Sequence, residues 1–324
     1  MYRTLCSLPV LAALLSIAVG GSLSPVYANP PVVVEDEKAQ IGIEIDFAEL
    51  LKDKTTAAML EANPEVPPFV KSMKSMSLYA FLPDSMAKLQ DPSNVNFFFE
   101  LSFSKMGDCD AAFDEMFGNA PTEDVEKNGK TYKVIDQPGA PVVYILKSGG
   151  SIKAYSEKYV ESGTEKFASK GLEKALGQAP KGEPFKMGFD IQGAKDLLGE
   201  LAAFAPQAEA FSAAESMTMA GGGQGDLMFM MAVATPDEST AKKIKSTVQT
   251  MLAFVAATIP TQMPSEEDAP ATNEMLNHVM SKLRPKVDGT TVKVVVNKPD
   301  NFEELRKKVT EEAEKLQGKL QGDF

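Results

Sequence analysis

Ile41-Gly42-Ile43-Glu44-Ile45 and Met187-Gly188-Phe189-Asp190-Ile191 carry one pattern twice, 146 residues apart. In each, apolar side chains alternate with a glycine and an acid, the period of two expected of a strand with one buried face. Each leads into a helical pattern that ends in a leucine pair, Leu50-Leu51 and Leu197-Leu198. Three more matches follow in the same order. Ser75-Met76-Ser77-Leu78 answers to Ser216-Met217-Thr218-Met219, Phe97-Phe98-Phe99 to Met228-Phe229-Met230, and Asn128–Val134 to Asp288–Val294. Their offsets of 141, 131 and 160 residues differ as loops of unequal length would make them differ. The expectation is an α+β chain of two similar modules, residues 29–178 and 179–324, each a mainly antiparallel sheet with helices packed on one face.

Within each module the pattern reads strand, helix, strand, strand, helix, strand, helix. The first copy adds a hairpin from Val142–Leu146 and Ile152–Tyr155. In the last shared motif Tyr132 and Val134 point one way and Lys133 the other, as do Val292, Val294 and Lys293, so one face is buried and one wet. Gly177–Pro184, rich in helix breakers, marks the boundary. Thr235-Pro236-Asp237-Glu238 predicts a helix start with Thr235 as the cap, followed by the stripe Ile244, Val248, Met251, Leu252, Val255. The polar stretch Pro260–Asn273 reads as a surface excursion before a helix over Glu274–Leu283. A last helix starts at Asp300, with Phe302, Leu305, Val309, Ala313, Leu316 and Leu320 on one side. Its other side pairs Glu303 with Lys307, Glu304 with Lys308 and Glu311 with Lys315, a solvated face.

The first residues read as an export signal. Arg3 precedes the apolar run Val10–Val19, and Val26-Tyr27-Ala28 offers small residues to a signal peptidase. Pro9, Gly20 and Gly21 break the run, which argues against a permanent membrane anchor. Cleavage after Ala28 leaves 296 of the 324 residues and changes the formal net charge from −12 to −13. Such a surface is repelled by phosphate backbones and anionic headgroups, so neither nucleic acid nor membrane insertion after cleavage is expected. The destination is the periplasm or the medium. Only Cys109 remains there, so no intrachain disulfide forms and packing must hold the fold.

Met217–Met231 contains five methionines around a glycine-rich bend. With Gly223-Gln224 as a two-residue turn, Met219 faces Met228 and Met217 faces Met230, four thioethers on one side of the sheet. That arrangement suits monovalent copper. The corresponding positions of the first module are Met76, Leu78, Phe97 and Phe99, however, and leucine and phenylalanine ligate nothing. Their common property is apolar bulk, which favours a core face filled by flexible side chains.

Other chemistry is sparse. His278 is the only histidine, which excludes most zinc sites and catalytic triads, and it stands at the edge of a helical stripe as a half-exposed structural residue. Cys109 lies between Asp108 and Asp110, whose charges oppose thiolate formation. Glu44 and Asp46 share a strand face and could form an acid/base pair, but the second module has Asp190 and Gln192 there, and Asp46 is better placed to cap the next helix with Glu49 at its third position. The acidic groups Glu35-Asp36-Glu37, Asp108/Asp110/Asp114 and Glu266-Glu267-Asp268 lack the ligand order of a calcium loop. Gly221–Gly225 lacks the strand-to-helix setting and the lysine of a phosphate cradle, and reads as a turn.

Through patterns such as Ile43-Glu44-Ile45-Asp46-Phe47 and Gly150-Ser151-Ile152-Lys153-Ala154-Tyr155, the chain resembles exported bacterial proteins of unknown function built from duplicated α+β modules. That resemblance implies neither an activity nor functional residues. The sequence therefore assigns no catalytic, cofactor-binding or metal-binding residue. The expectation is a non-enzymatic exported protein that binds an unidentified protein or small molecule, with a ligand site between the modules. A secreted hydrolase using two carboxylates and a copper-handling protein using the Met217–Met231 hairpin are the alternatives.

Overall fold

The computed structural model is an α+β fold built on one antiparallel sheet of twelve strands. It describes residues 38–322 apart from 54–55, 58–59, 61–65, 90–93, 95, 119, 137–140, 163–165, 204–205, 224, 259–264 and 266. The expected export segment at 1–28 and Glu35-Asp36-Glu37 lie outside the described residues, as do Glu266 and the side chain of Val255.

The first half supplies β1 (Ile41–Asp46), β2 (Met73–Phe81), β3 (Asn96–Phe103), β4 (Glu123–Lys127), β5 (Lys130–Ile135), β6 (Val143–Ser148) and β7 (Ser151–Ser156). The second supplies β8 (Phe185–Asp190), β9 (Ser216–Gly221), β10 (Leu227–Ala234), β11 (Lys286–Asp288) and β12 (Thr291–Asn297). Between them run α1 (Phe47–Leu50), α2 (Met86–Leu89), α3 (Met106–Phe117), α4 (Glu157–Ser162), α5 (Lys170–Gly177), α6 (Lys195–Ala202), α7 (Pro206–Ser212), α8 (Glu238–Thr258), α9 (Pro270–Lys282) and α10 (Phe302–Gly322). The strand order is β11-β12-β10-β9-β8-β1-β2-β3-β7-β6-β5-β4. Sequence periodicity predicts one sheet per module, whereas the structure has a single sheet. β1 and β8 pair along their length, with Gly42 directly opposite Gly188. The leading strand of each half would otherwise be an edge with unpaired backbone groups, and each satisfies the other's.

Register sorts the side chains onto two faces. On one, Ile43, Ile45, Met76, Leu78, Leu101 and Ile152 join Cys109, Ala112 and Phe113 of α3 in the largest core cluster. Farther along that face Val233, Val292 and Val294 pack with Ile244 and Val248 of α8. The opposite face receives α5, which lies over β1, β8 and β9. Gly42 and Gly188 admit it. A Cβ at Gly188 would stand 2.8 Å from Leu172 Cδ1, and one at Gly42 would stand 3.2 Å from Leu172 Cδ2. Ser169 caps α5 by accepting from Leu172 N (3.0 Å), and its hydroxyl donates to Asp190 at 2.5 Å. Thr218 of β9 donates to the Ala175 carbonyl at 2.7 Å. The helix that precedes the expected boundary is thus fastened to the strands that follow it.

Several local expectations hold. Asp46 caps α1 by accepting from Glu49 N at 2.9 Å. The β6–β7 hairpin turns through Gly149 and Gly150, both at positive φ (60° and 81°), as a two-residue turn of this hand requires. Others do not. In α8 the cap is Asp237, which accepts from Thr240 N at 2.8 Å, because the Thr235 hydroxyl is drawn to the Thr290 carbonyl at 2.7 Å. Met251 is 44% exposed rather than part of the α8 stripe. α9 starts at Pro270, four residues before the expected Glu274. Tyr132 and Val134 are buried on the α5 side of the sheet, but Val292 and Val294 on the α8 side.

The methionine hairpin is the clearest correction. Met219 pairs with Met231, Met217 with Val233 and Ala220 with Met230, a register three residues from the expected one. An odd shift moves a side chain to the other face. The connection is five residues, 222–226, held from outside the hairpin. The Glu183 carboxylate accepts from Gly223 N (2.9 Å), Lys298 Nζ donates to Gly223 O (2.6 Å), and Lys298 N donates to Asp226 O (2.7 Å). A bulge between Leu227 and Phe229 absorbs the remaining mismatch. In β2–β3 the shift is two, Leu78 with Phe99 and Met76 with Leu101, so the expected faces survive.

The C-terminal helix is more than a solvated rod. Glu304–Lys308 forms at 2.7 Å as expected, while Lys307 reaches Glu311 at 3.9 Å. Arg306, however, grips Asp53 of the first half with two bonds (2.8 and 3.0 Å). Glu312 caps α9 by accepting from Ala271 N (2.7 Å) and Thr272 N (2.9 Å).

Two outcomes follow from these joints. Gly188→Val overpacks Leu172 and Leu176 and should lower unfolding stability by about 1–3 kcal/mol in a denaturant titration. Burial opposes the charge of Asp53, but Arg306 and Thr56 outweigh it and hold the carboxyl below its ordinary range. A depressed folded pKa gives stability that is complete above the unfolded value and drains away as pH falls through the folded one. The melting-temperature gap between wild type and Asp53→Asn should therefore be full near neutrality and close below about pH 4.

Candidate binding trough

Where α5 ends its cover of the sheet, the same face opens into a trough of about 1040 Å³. Most of its lining comes from strands of the first half, and the residues of this sheet face fall in three rows that continue beyond the trough. In the first row Tyr79, Phe98, Tyr155 and Tyr144 stand side by side on β2, β3, β7 and β6. The second reads Lys186, Glu44, Ser77, Glu100, Lys153 on β8, β1, β2, β3 and β7. The third is Ser75, Ser102, Ser151, Ser148 on β2, β3, β7 and β6. Period-two alternation along each strand combined with strict pairing across them makes rows of like chemistry.

The aromatic row is backed by the chain that leaves β7. Phe167 stacks on Phe98 with centroids 4.0 Å apart and planes 7° from parallel, and Tyr159 stacks on Phe81 at 4.0 Å. Tyr132 meets Tyr155 edge-on at 6.2 Å. Every tyrosine after residue 28, namely Tyr79, Tyr132, Tyr144, Tyr155 and Tyr159, belongs to this cluster. Exposed Lys130, Lys166 and Glu173 stand around the rim.

Polar groups are fixed as well. The Tyr79 hydroxyl donates to Glu44 Oε1 at 2.9 Å, and the Tyr144 hydroxyl donates to Glu157 Oε1 at 2.9 Å. Lys153 lies 3.5 Å from Glu100. Burial pushes Tyr79 well above the ordinary phenol range, and Glu44, Glu100 and Glu173 push it further. Burial likewise raises Tyr132 and Tyr144. These phenols stay protonated, as donors, at any physiological pH.

The residues singled out in the sequence fall elsewhere or into structural roles. Glu44 and Asp46 do not act as a pair, since one receives Tyr79 and the other caps α1. Asp190 is buried and accepts from Ser169 and from Gly193 N at 3.0 Å. Gln192 donates to the Ala214 carbonyl at 2.6 Å. His278 is half-buried and ties α9 to the end of β12 through Nε2 and the Asn297 carbonyl, 2.8 Å apart. Cys109 is 1% exposed, and burial raises its pKa, with Asp110 adding and Lys147 opposing. Met217 and Met231 pack on the α8 side of the sheet while Met230 lies on the other, so the hairpin does not gather four sulfurs in one place. Among the described residues no group of three or more His, Cys, Asp and Glu is arranged to hold a metal, and no helix is long and apolar enough to cross a membrane. β1 and β8 join the halves into one sheet, and at this joint a smaller concavity of about 400 Å³ is lined by Glu44, Asp46, Ser75 and Ser77 of the first half and by Glu183 and Lys186 of the second.

No family model and no curated protein matches the chain. Among solved structures, three of the protein TP0453 match the chain at low similarity. Crystal form IV matches with a TM-score of 0.40 and 9% identity over 84% of this chain and 94% of that one. Crystal form III gives 0.39 and 9% over 81% and 90%, and crystal form I gives 0.38 and 10% over 81% and 89%.

The geometry of the phenols yields a direct check. Tyr79, Tyr132 and Tyr144 should ionise late, so a spectrophotometric titration of the folded protein should leave part of the tyrosine signal unchanged past about pH 10. The neutral phenol is the form the fold favours, so this stabilisation is present below the unfolded pKa and is lost as pH rises through the folded one. In denaturant all the tyrosines should titrate together.

Proposed function

We propose that the chain is an exported, non-enzymatic binding protein that holds a small amphipathic molecule in the aromatic trough. The observation that carries this reading is the trough itself: a concavity of about 1040 Å³ with an aromatic row on one side and ordered polar rows on the other. Such volume and mixture suit a ligand of moderate size, with rings for its apolar body and fixed donors and acceptors for its head. The absence of a nucleophile–base pair among the groups placed there favours binding over turnover. Serine hydroxyls are present, but the single histidine is engaged at the far end of β12. Export rests on the leader-like run before Ala28 and fits a protein whose task is to hold rather than to transform.

Duplication remains part of this reading. Two triplets, β1-β2-β3 and β8-β9-β10, run outward from the central pair in opposite directions along the sheet. Gly42 and Gly188, counterparts in the repeated motif, are also partners in the ladder, as two copies related by a local twofold would have them. Only the first copy then bears the aromatic row. In the register set by the pairing, Phe98 answers to Ala232 and Glu100 to Ala234, both buried alanines, which is packing rather than a site.

Nile red, a neutral dye whose emission rises in apolar surroundings, tests the trough. The wild-type protein should bind it with saturable enhancement, and Ser77→Phe, which fills the floor from a half-buried position, should abolish the enhancement without a large change in melting temperature. Equal enhancement in the variant, or none in the wild type, would remove the basis of the reading.

A further inference from the structure

The trough's second row sets the charge of what it accepts. Neighbouring strands are about 4.8 Å apart, so Glu44 on β1 and Glu100 on β3 rise from backbones roughly 9.6 Å apart. Between them on β2 stands Ser77, whose side chain is far shorter. The result is a notch with a carboxylate on each side and a hydroxyl at its base. Lys186 and Lys153 flank it one strand farther out, so the row alternates positive, negative, neutral, negative, positive. That order confines the negative potential to the position above Ser77.

The two carboxylates are not equally occupied. Glu100 has Lys153 at 3.5 Å. The hydrogen-bonding partner of Glu44 is the neutral Tyr79 hydroxyl at 2.9 Å, and among the described residues no lysine or arginine nitrogen lies within 4.0 Å of it. Glu44 therefore keeps acceptor capacity and an uncompensated charge in a half-buried place. Two residues along β2, one step toward the aromatic row, the Tyr79 ring adjoins Phe98 with centroids 6.2 Å apart. Carboxylates beside ring faces attract cations on both counts, by charge and by the quadrupole of the rings. An anionic head placed there would face two carboxylates at close range.

We infer that the trough takes an organic cation, with its ammonium group seated over Ser77 between Glu44 and Glu100 and its apolar body along Tyr79 and Tyr155. This assignment rests on the binding reading above and adds the ligand's charge to it. Ammonium hydrogens would reach both carboxylates and the serine oxygen, while Tyr79 holds Glu44 in place from the other side.

Three probes of matched shape test it by calorimetry: 2-phenylethylammonium, 2-phenylethanol and 3-phenylpropionate. The ammonium should bind about tenfold or more tightly than the alcohol, as a charged hydrogen bond predicts, and the carboxylate should not bind. Glu44→Gln, which still accepts from Tyr79, should weaken the ammonium by about tenfold and leave the alcohol unchanged. Ser77→Lys should abolish ammonium binding by placing a cation in the notch, with melting temperature reporting that the variant is folded. Equal binding of ammonium and alcohol, tighter binding of the carboxylate, no binding of the ammonium, or indifference to Glu44→Gln would overturn the assignment. Nile red separates the two readings: if the dye binds and the ammonium does not, the trough remains a binding site of another charge preference, whereas failure of both ends the binding reading too.

Discussion

The antiparallel pairing of β1 with β8, and the close approach of α5 that its two glycines permit, is the constraint on which everything else hangs. Gly42 and Gly188 leave no side chain beneath Leu172 and Leu176, so the helix settles directly on the backbone of the joint. Its first turn is then tied to Asp190 through Ser169, and its last turn to β9 through Thr218. The linker that follows brings Glu183 to the glycine-rich loop of β9–β10, whose register it helps to set. Helix placement, loop conformation and strand register in the second half all trace back to two missing Cβ atoms at the centre of the sheet.

A continuous sheet also explains why the trough opens on this face. The α3 and α8 side is filled by apolar side chains from every central strand. The other side is covered over the joint by α5 and, among the described residues of the first half beyond it, by the short chain that carries Tyr159 and Phe167. Polar side chains on β1, β2, β3 and β7 are tolerated there because they remain partly open to water and bonded to one another. The trough is what remains of a sheet face when the covering helix is shorter than the sheet is wide.

Much of the local architecture could be read from the sequence because it is set by near neighbours. The strand at Ile41–Ile45, the Gly149-Gly150 hairpin, the Asp46 cap and the inert surroundings of Cys109 and His278 all depend on contacts within a few residues or on simple charge rules. What could not be read depends on distant partners. Nothing near Gly223 announces that Glu183 and Lys298 will hold it, so the methionine register is misplaced by three. Thr235 loses its capping role to a carbonyl 55 residues away. The trough was hidden for the same reason. Alternation tells that Glu100 and Phe98 share a face, but only the pairing of β3 with β7, across more than 50 residues, sets them beside Lys153 and Tyr155. A usable sign was present nonetheless, since all five later tyrosines fall between residues 79 and 159, in the first half of the chain, and the second half has none.

The two outermost strands have a meaning for the molecule among its own kind. β4 is Glu-Asp-Val-Glu-Lys with both leading acids exposed, and β11 is only three residues, Lys-Val-Asp. A second molecule adding itself to the β4 rim in antiparallel fashion would bring carboxylates against carboxylates, and the β11 rim offers too short a template to nucleate such growth. A ribbon of twelve strands is long enough to invite stacking end to end into fibres; this one is sealed at both terminals by repulsion on one side and brevity on the other.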